Sequence, residues 1–248
     1  MTELPPFKVV IPARYASTRL AGKPLVDILG KPMIQWVYQA AIASDADQVI
    51  VATDDARIDQ VVKSFGGECC MTRDNHDNGT DRIVEVTQTM GWSDDTIIVN
   101  LQGDEPLMPP QNLTQVAKNI HQSGYEMATL HKPINSAAAD DPNLVKLVCD
   151  KNGRALYFSR SKIPFDRDQN GADYFGHIGL YAYRVGFLKT YSKLQPCMLE
   201  QSEKLEQLRA LYHGFNIHTA LACETPGSGV DTEQDLQKVT QQLKESNA

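Results

Sequence analysis

Arg14, Arg19 and Lys23 stand within ten residues of one another in the stretch "FKVVIPARYASTRLAGKPL", with Asp27 the only nearby acid. They follow an apolar run, Phe7 to Ile11, that stops at Pro12. Cations set this close repel one another unless they are solvated or face an anion, and local sequence leaves both readings open. A triphosphate would supply the missing charge through charge-assisted hydrogen bonds. Gly22 and the small Ala13, Ala16 and Ser17 would let backbone N–H groups approach phosphate oxygens closely. Neither GxxxxGK[ST] nor GxGxxG occurs here, so this is not a Walker loop or a dinucleotide fingerprint.

Two acids could complete such a site. Asp104 lies in "VNLQGDEP", just past an apolar run, and Asp231 in "PGSGVDTEQD", after a glycine-rich approach. Two carboxylates from distant segments suit one Mg²⁺, whose other positions go to phosphate oxygens and water. Each acid also has a local reading: Asp104 as a turn residue before Pro106, Asp231 as a helix cap. No Ser–His–Asp or Cys–His arrangement is evident, so covalent catalysis is not expected.

The elements that must position these groups follow a strand–helix alternation. "FKVVI", "QVIVAT" and "TIIVNL" read as buried strands. "PMIQWVYQAAIAS" reads as a helix with Pro32 at its first position and Met33, Val37, Ala40 and Ala41 on one face. "DARIDQVVKSFGG" carries Ile58, Val61, Val62 and Phe65 at helical spacing, with Gly66 as a stop. "QNLTQVAKNIHQSG" is a further helix. This alternation predicts an α/β, mostly parallel, doubly wound sheet, with ligands at the carboxyl ends of its strands. Farther on, "VKLVCD", "RALYFSR" and "IGLYAYR" read as strands that need not be parallel. The "DRDQNGADYFGH" segment reads as a polar, mobile loop. "LEQSEKLEQLRALYHG" reads as one helix ending at Gly214, "FNIHTALAC" as a strand, and "DTEQDLQKVTQQLKES" as a terminal helix capped by Asp231 or Thr232. The chain, 1–248, reads as a single domain, with about 130–190 as a smaller antiparallel sugar-binding or dimerisation subdomain. Strands near 126–148 and 178–184 are candidate interface material.

Bulk properties narrow the classes. The 248 residues are 42% hydrophobic and 22% charged, ordinary for a globular protein. A net charge of −7 argues against a general nucleic-acid binder. No apolar run approaches the roughly 20 residues of a membrane span, and "MTELPPFK" lacks the layout of a secretory signal. Cys69, Cys70, Cys149, Cys197 and Cys223 are odd in number and show no CxxC spacing. Reduced thiols in a cytoplasmic protein are expected.

The ordered motifs carry a family resemblance. "IPARYASTRLAGKPL" with "KPMIQWV" resembles the signature loop of the sugar nucleotidyltransferases. Within these, the chain resembles most the cytidylyltransferases that activate 3-deoxy-manno-octulosonate (Kdo). The likeness continues through "VATDD", "NGTDRI", "VNLQGDEP", "ALYFSR", "HIGLYAYR", "LEQLR" and "GVDT". It implies a Rossmann-like nucleotidyltransferase fold, CTP and a Kdo-type sugar as substrates, Mg²⁺, a cytoplasmic homodimer and a place in lipopolysaccharide biosynthesis. It implies catalytic roles for Arg14, Lys23, Asp104 and Asp231, the last two as metal ligands. The nucleotide would lie against Pro12, Ala13, Arg14, Ser17, Lys23, Gly79, Gln102 and Gly103. The sugar would meet Arg19, Asp77, Asn78, Arg160, His177, Tyr181, Gln201, Ser202, Glu206 and Gln207. Several of these have plainer readings: Thr80, Asp81 and Arg82 as a helix start, Glu206 as a surface residue beside the Leu205 and Leu208 stripe, Tyr181 as core, and His177 as a loop residue. A cytidylyltransferase for another acidic sugar, such as a sialic acid, is the alternative.

The chain departs from the Kdo pattern at several positions. Ala21 stands where proline is usual, and Gly176 where a basic residue is frequent. Asp77 and Asn78 replace neutral residues. Gln201 and Ser202 replace a histidine and an apolar residue. The acid and the polar pair would suit an ammonium on the acceptor, so an 8-amino-8-deoxy-Kdo acceptor is a second expectation.

Overall fold

The computed structural model describes residues 5–16, 20–76 and 78–246. The first strand, β1 (Phe7–Pro12), is covered on both faces, with Phe7, Val9, Val10 and Ile11 fully buried. That is why its sequence is a continuous apolar run and not an alternating one. A single 3₁₀ turn, Lys23–Leu25, follows the cation loop. Then comes a hairpin of β2 (Asp27–Ile28) and β3 (Lys31–Pro32), turned by Leu29 (φ 56°) and Gly30 (φ 80°). Positive φ at both turn residues is the primed-turn geometry that suits strand twist.

Helix α1 (Met33–Ile42) starts one residue after Pro32, which caps it. Its buried face holds Met33, Ile34, Val37, Tyr38 and Ala41, while Ala40 is half-buried. β4 (Gln48–Thr53) leads to α2 (Ala56–Ser64), capped by the Asp55 carboxylate, which accepts the Arg57 N–H at 2.9 Å. Gly66, at φ 81°, ends that unit before β5 (Glu68–Met71). Next come α3 (Gly79–Thr89), β6 (Ile97–Asn100) and α4 (Pro110–Ser123). β7 (Met127–Ile134), the short α5 (Ser136–Ala139), β8 (Lys146–Cys149) and β9 (Ala155–Ser159) follow. β10 (Tyr174–Arg184) is the longest strand described, and α6 (Val185–Tyr191), α7 (Met198–Glu203), α8 (Gln207–Tyr212), β11 (Ile217–Leu221) and α9 (Glu233–Ser246) complete the chain.

The main sheet runs β11-β7-β10-β6-β1-β4-β5, with β8 and β9 branching from β10. β5, β4, β1 and β6 pair in parallel, as do β7 and β11; β10 is antiparallel to both β6 and β7. The mixed, mostly parallel sheet has helices on both faces, an α/β Rossmann-like architecture. Alternate strand residues feed two cores: Val9, Val51 and Val99 pack with α1, α2 and α4, whereas Val10, Ile50 and Ile98 pack with α3, α6 and α8. A third, small cluster joins Ile28 and Met33 to Val230, Val239 and Leu243 of the C-terminal segment.

Two expectations change. The polar segment 166–177 is strand from Tyr174 onward, and before it the Asp166 carboxylate accepts the N–H groups of Asn170, Gly171 and Ala172. The helix expected over 199–214 is two helices, because Lys204 adopts φ 54° and breaks the turn between them. β7 and β10 are interior strands, each hydrogen-bonded on both edges. No helix among the described residues is long and apolar enough to cross a membrane.

Candidate active site

The antiparallel strand explains where the site forms. β10 runs against β6 with Tyr181 opposite Asn100. Residues 177–180 therefore project past the carboxyl end of β6, beside the loops that leave β1 and β6. The two approach tightly: a Cβ at Gly103 would lie 2.8 Å from the Pro12 carbonyl oxygen. Only glycine fits there without displacing backbone.

Lys23 is the hub. Its ammonium donates to Asp104 Oδ2 at 2.6 Å and to Asp231 Oδ1 at 3.0 Å, across 81 and 208 positions of sequence. Partial burial pulls its pKa down, but Asp104 and then Asp231 outweigh that and hold it above the ordinary lysine value. Gly22, at φ 63°, sets the turn from which Lys23 projects. Asp104 leaves β6 through a turn in which Glu105 N–H donates to the Gln102 carbonyl at 3.2 Å. Asp231 arrives on a strap, residues 226–230, laid against 104–107. Gly227 N–H donates to the Leu107 carbonyl at 3.3 Å and Val230 N–H to the Asp104 carbonyl at 2.9 Å. Val230 is buried in the small C-terminal cluster, which pins the strap. The α9 cap is Thr232: its hydroxyl accepts the Asp235 N–H at 3.2 Å, and Asp235 accepts the Thr232 N–H at 3.0 Å. That reciprocal pair is a capping box. Thr232 thus does the capping, and the Asp231 carboxylate points to Lys23 instead.

Arg14 donates to the His76 carbonyl at 2.5 Å, and the His76 imidazole meets Glu85. Asn78 caps α3, accepting the Asp81 N–H at 2.8 Å. The fully buried Arg82 holds α3 to the end of β4 through Asp54 at 2.7 Å. These contacts place Gly79 over Pro12, where a Cβ would still clear the ring at 3.6 Å. Pro12, Ala13, Arg14, Lys23, Gly79, Gln102 and Gly103 line one cavity of about 450 Å³, closed at one end by Asp104 and Asp231.

A second cavity, about 280 Å³, continues from Gly79, Gln102 and Glu206 to His177, Tyr181 and Gln207. The break at Lys204 lets Glu206 turn inward, where its carboxylate accepts the Thr80 hydroxyl at 3.1 Å. Burial pushes the Glu206 carboxyl above its ordinary value. Burial, with His131 nearby, pushes His177 down to about 3, so its imidazole is neutral. The Thr129 hydroxyl donates to the carbonyl oxygens of Ile178 and Leu180 at 3.0 and 2.8 Å. It therefore accepts from His177 Nε2 at 3.0 Å, a tautomer assigned from this network that leaves Nδ1 as an acceptor. Burial likewise raises Tyr181 well above the phenol range and keeps its hydroxyl protonated.

A third cavity, about 480 Å³, lies beyond Asp104 and Asp231 and joins the second at His177 and Gly179. Glu105 and Lys132 line it. Burial, then the Asp104 charge, pushes Glu105 up to about 7. Sequence reading passed over both residues. Glu105 could have been suspected from its place beside Asp104, whereas Lys132 carries no local signal.

Other expectations fall elsewhere. Ser17, Arg19 and Asp77 lie outside the described residues. Arg160 lines none of these cavities; it ties β9 to α7, donating to the Glu203 carbonyl at 2.8 Å and the Pro142 carbonyl at 3.1 Å. Gln201 and Ser202 are exposed on α7 and also line none of the three, because the Lys204 break ends that helix before the cavity wall. The expectation of an amino-substituted acceptor loses those two supports.

No set of three or more metal-ligating side chains converges among the described residues. Asp104 and Asp231 do converge on one cation, the Lys23 ammonium. That two-carboxylate set fits a divalent ion whose remaining ligands are phosphate oxygens and water.

Residues 8–217 match the cytidylyltransferase family. The chain is 55% identical over 243 residues to a 3-deoxy-manno-octulosonate cytidylyltransferase of Aliivibrio fischeri, covering 94% of this chain and 97% of that protein. Identity to the same-named protein of Vibrio vulnificus is 55% over 241 residues, 94% and 96% of the two chains. A solved CMP:2-keto-3-deoxy-manno-octonic acid synthetase complexed with CTP superimposes at a TM-score of 0.93 with 45% identity, over 98% of this chain and all of that one. A cytidylyltransferase of Leptospira borgpetersenii, 16% identical at a TM-score of 0.64, shares the fold.

Proposed function

The chain belongs to the cytidylyltransferase family, and on that premise we propose that it transfers CMP from CTP to the anomeric hydroxyl of Kdo and releases pyrophosphate. The observation that carries this is the meeting of Lys23, Asp104 and Asp231, three residues from distant segments, at the end of a cavity sized for a nucleotide. The names and high identities of the full-length relatives support the choice of acceptor, and with it a place in lipopolysaccharide biosynthesis.

The mechanism follows from the arrangement. Cytosine packs on Pro12 and Ala13 near Gly79, Gln102 and Gly103, where backbone amides and carbonyls can read its edge. Arg14 and Lys23 neutralise the phosphate chain. Asp104 and Asp231 would hold Mg²⁺, which when bound would polarise the α-phosphate and offset charge in the transition state. The Lys23 ammonium, held at the end of the nucleotide cavity by Asp104 and Asp231, is placed to meet phosphate oxygens. The sugar occupies the second cavity, its hydroxyls meeting His177 Nδ1, Tyr181, Glu206 and Gln207. Its anomeric hydroxyl gives its proton to water and forms the new bond to the α-phosphorus as the bond from that phosphorus to the oxygen it shares with the β-phosphate breaks, and that oxygen leaves with pyrophosphate. No side chain becomes covalently modified; positioning and charge do the catalysis. A homodimer in the cytoplasm, with the 130–190 segment serving sugar binding or dimer contact, completes the proposal.

Pyrophosphate release with CTP, Mg²⁺ and a panel of Kdo, 8-amino-8-deoxy-Kdo and a sialic acid tests it. Kdo should give the highest kcat/KM. No release with Kdo refutes the assignment, and a preference for the amino sugar or the sialic acid replaces the acceptor.

A further inference from the structure

Building on that activity, we infer that Lys132 binds the carboxylate of the acceptor, from the cavity beyond Asp104 and Asp231. An acceptor that is a 2-keto sugar acid carries its carboxylate on the carbon bearing the attacking hydroxyl. A cation must therefore lie close to the metal carboxylates, on the side away from the nucleotide. Other described cations near the site are engaged: Lys23 by Asp104 and Asp231, Arg14 by the His76 carbonyl, and Arg160 by the carbonyls of Glu203 and Pro142.

Lys132 differs. It is half-buried on β7 and lines the same cavity as Asp104, Asp231, His177 and Gly179. No described residue makes an ion pair or hydrogen bond with its ammonium. Glu105 feels its charge, which draws that carboxyl down against the pull of burial. A half-buried lysine that lines a cavity and has no ion-pair or hydrogen-bond partner among the described residues is suited to receive an anion. The backbone keeps the place open: Lys132 pairs with Gly176 across the β7–β10 ladder. A Cβ at Gly176 would stand 3.0 Å from the Ile134 side chain and 3.4 Å from Leu144, so that neighbour contributes no competing group. His177, the next residue on β10, reaches both this cavity and the sugar cavity. Its side chain projects from the sheet face opposite to Gly176 and Lys132, and the two cavities meet at His177 and Gly179, so one molecule across that junction can offer hydroxyls to the sugar cavity and its carboxylate to Lys132. The wall is otherwise acidic, with Glu105, Asp141 and Asp235 beside Asp104 and Asp231, and a divalent ion held by the last two would lower that charge.

The test is steady-state kinetics of Lys132→Gln and Lys132→Arg with Kdo and with its C1 methyl ester. Loss of a charge-assisted contact should raise KM for Kdo about 10- to 100-fold, with KM for CTP unchanged within about twofold. Lys132→Arg should stay close to wild type. The ester should lose the same factor with wild type and nothing further with Lys132→Gln. Lys132→Met, which keeps the apolar stem, substitutes if the glutamine variant does not accumulate. An unchanged KM for Kdo in the variant, or an equal ester penalty in both proteins, overturns the role of Lys132. A wild type that is inactive with Kdo instead overturns the activity itself.

Discussion

Gly227→Ala tests whether the strap, and not the carboxylate alone, makes Asp231 a metal ligand. A Cβ at position 227 would sit 2.6 Å from Leu107 Cβ and 2.6 Å from its Cδ1. Carbon atoms at rest stay about 3.5–4.0 Å apart, so the strap must retreat by about 1 Å. Leu107 Cβ is fixed to the backbone, so no rotamer change relieves the clash. The retreat strains the Gly227 and Val230 hydrogen bonds to residues 107 and 104. It also carries Asp231 Oδ1 from 3.0 Å to about 4 Å from Lys23 Nζ. Mg²⁺ demands ligands at about 2.0–2.1 Å and tolerates no such gap. Losing most of one carboxylate's contribution, about 1.4 kcal/mol or more, raises the Mg²⁺ concentration for half-maximal pyrophosphate release at least tenfold. Overpacking lowers stability by about 1–3 kcal/mol as well, so thermal unfolding must be measured alongside. Leu107→Gly removes the obstructing carbon, and the double variant should recover the wild-type Mg²⁺ requirement within about threefold. Gly229→Ala should do less, because its Cβ meets the side-chain end of Glu105 at 3.1 Å and the Asp104 carbonyl oxygen at an ordinary 3.4 Å. A folded Gly227→Ala protein with an unchanged Mg²⁺ requirement refutes the reasoning, as does failure of the Leu107→Gly rescue.

Asp104→Asn and Asp231→Asn should each lower turnover about 10²- to 10³-fold, the scale of one lost preorganised electrostatic contact. Lys23→Ala should raise KM for CTP more than KM for the sugar, and an unchanged KM for CTP counts against its phosphate role. His177 titrates near 3 when folded and near 6.5 when unfolded, and burial depresses His131 and His218 in the same direction. Between those values the unfolded chain binds more protons. The stability these residues contribute is complete above about pH 6.5 and is lost as pH falls toward 3. At pH 5, His177 alone accounts for up to about 2 kcal/mol. Urea unfolding from pH 5 to 7.5 should show His177→Asn flattening the slope by up to one proton; an unaltered slope contradicts a buried, neutral imidazole.

The parallel half of the sheet was open to sequence reading because both-face burial writes a strand as an uninterrupted apolar run. β1, β4 and β6 each do so, and α2 and α4 between them show clean helical spacing. The C-terminal half hid its structure for physical reasons. The Leu199, Leu205 and Leu208 stripe runs through the α7–α8 break, and the break residue is a lysine, where left-handed backbone is normally announced by glycine or asparagine. β10 begins inside a polar stretch because its first residues are held by backbone pairing between β7 and β8, which needs no apolar run.

For the site, residue type pointed to Lys23, Asp104 and Asp231, but not to their mutual distance. That distance depends on the strap, whose glycines matter through what a Cβ would strike. Position 176 shows the same limit from the other side. Read along the chain, Gly176 looks like the loss of the basic residue frequent there. Read across the ladder, it stands opposite Lys132, 44 positions earlier, so the positive charge is present on the neighbouring strand. Strand pairing is a long-range property with no local signature, and a substitution that removes a charge from one strand can be offset only by a residue that the register brings beside it. Lys132→Gln should be rescued in part by Gly176→Arg, provided Ile134 is trimmed to alanine to remove the Cγ2 that a Cβ at 176 would meet at 3.0 Å. Rescue of the KM for Kdo without change in the KM for CTP would show that the cavity needs a cation at this rung of the ladder, whichever strand supplies it; no rescue by a folded triple variant would show that it needs the lysine where it stands.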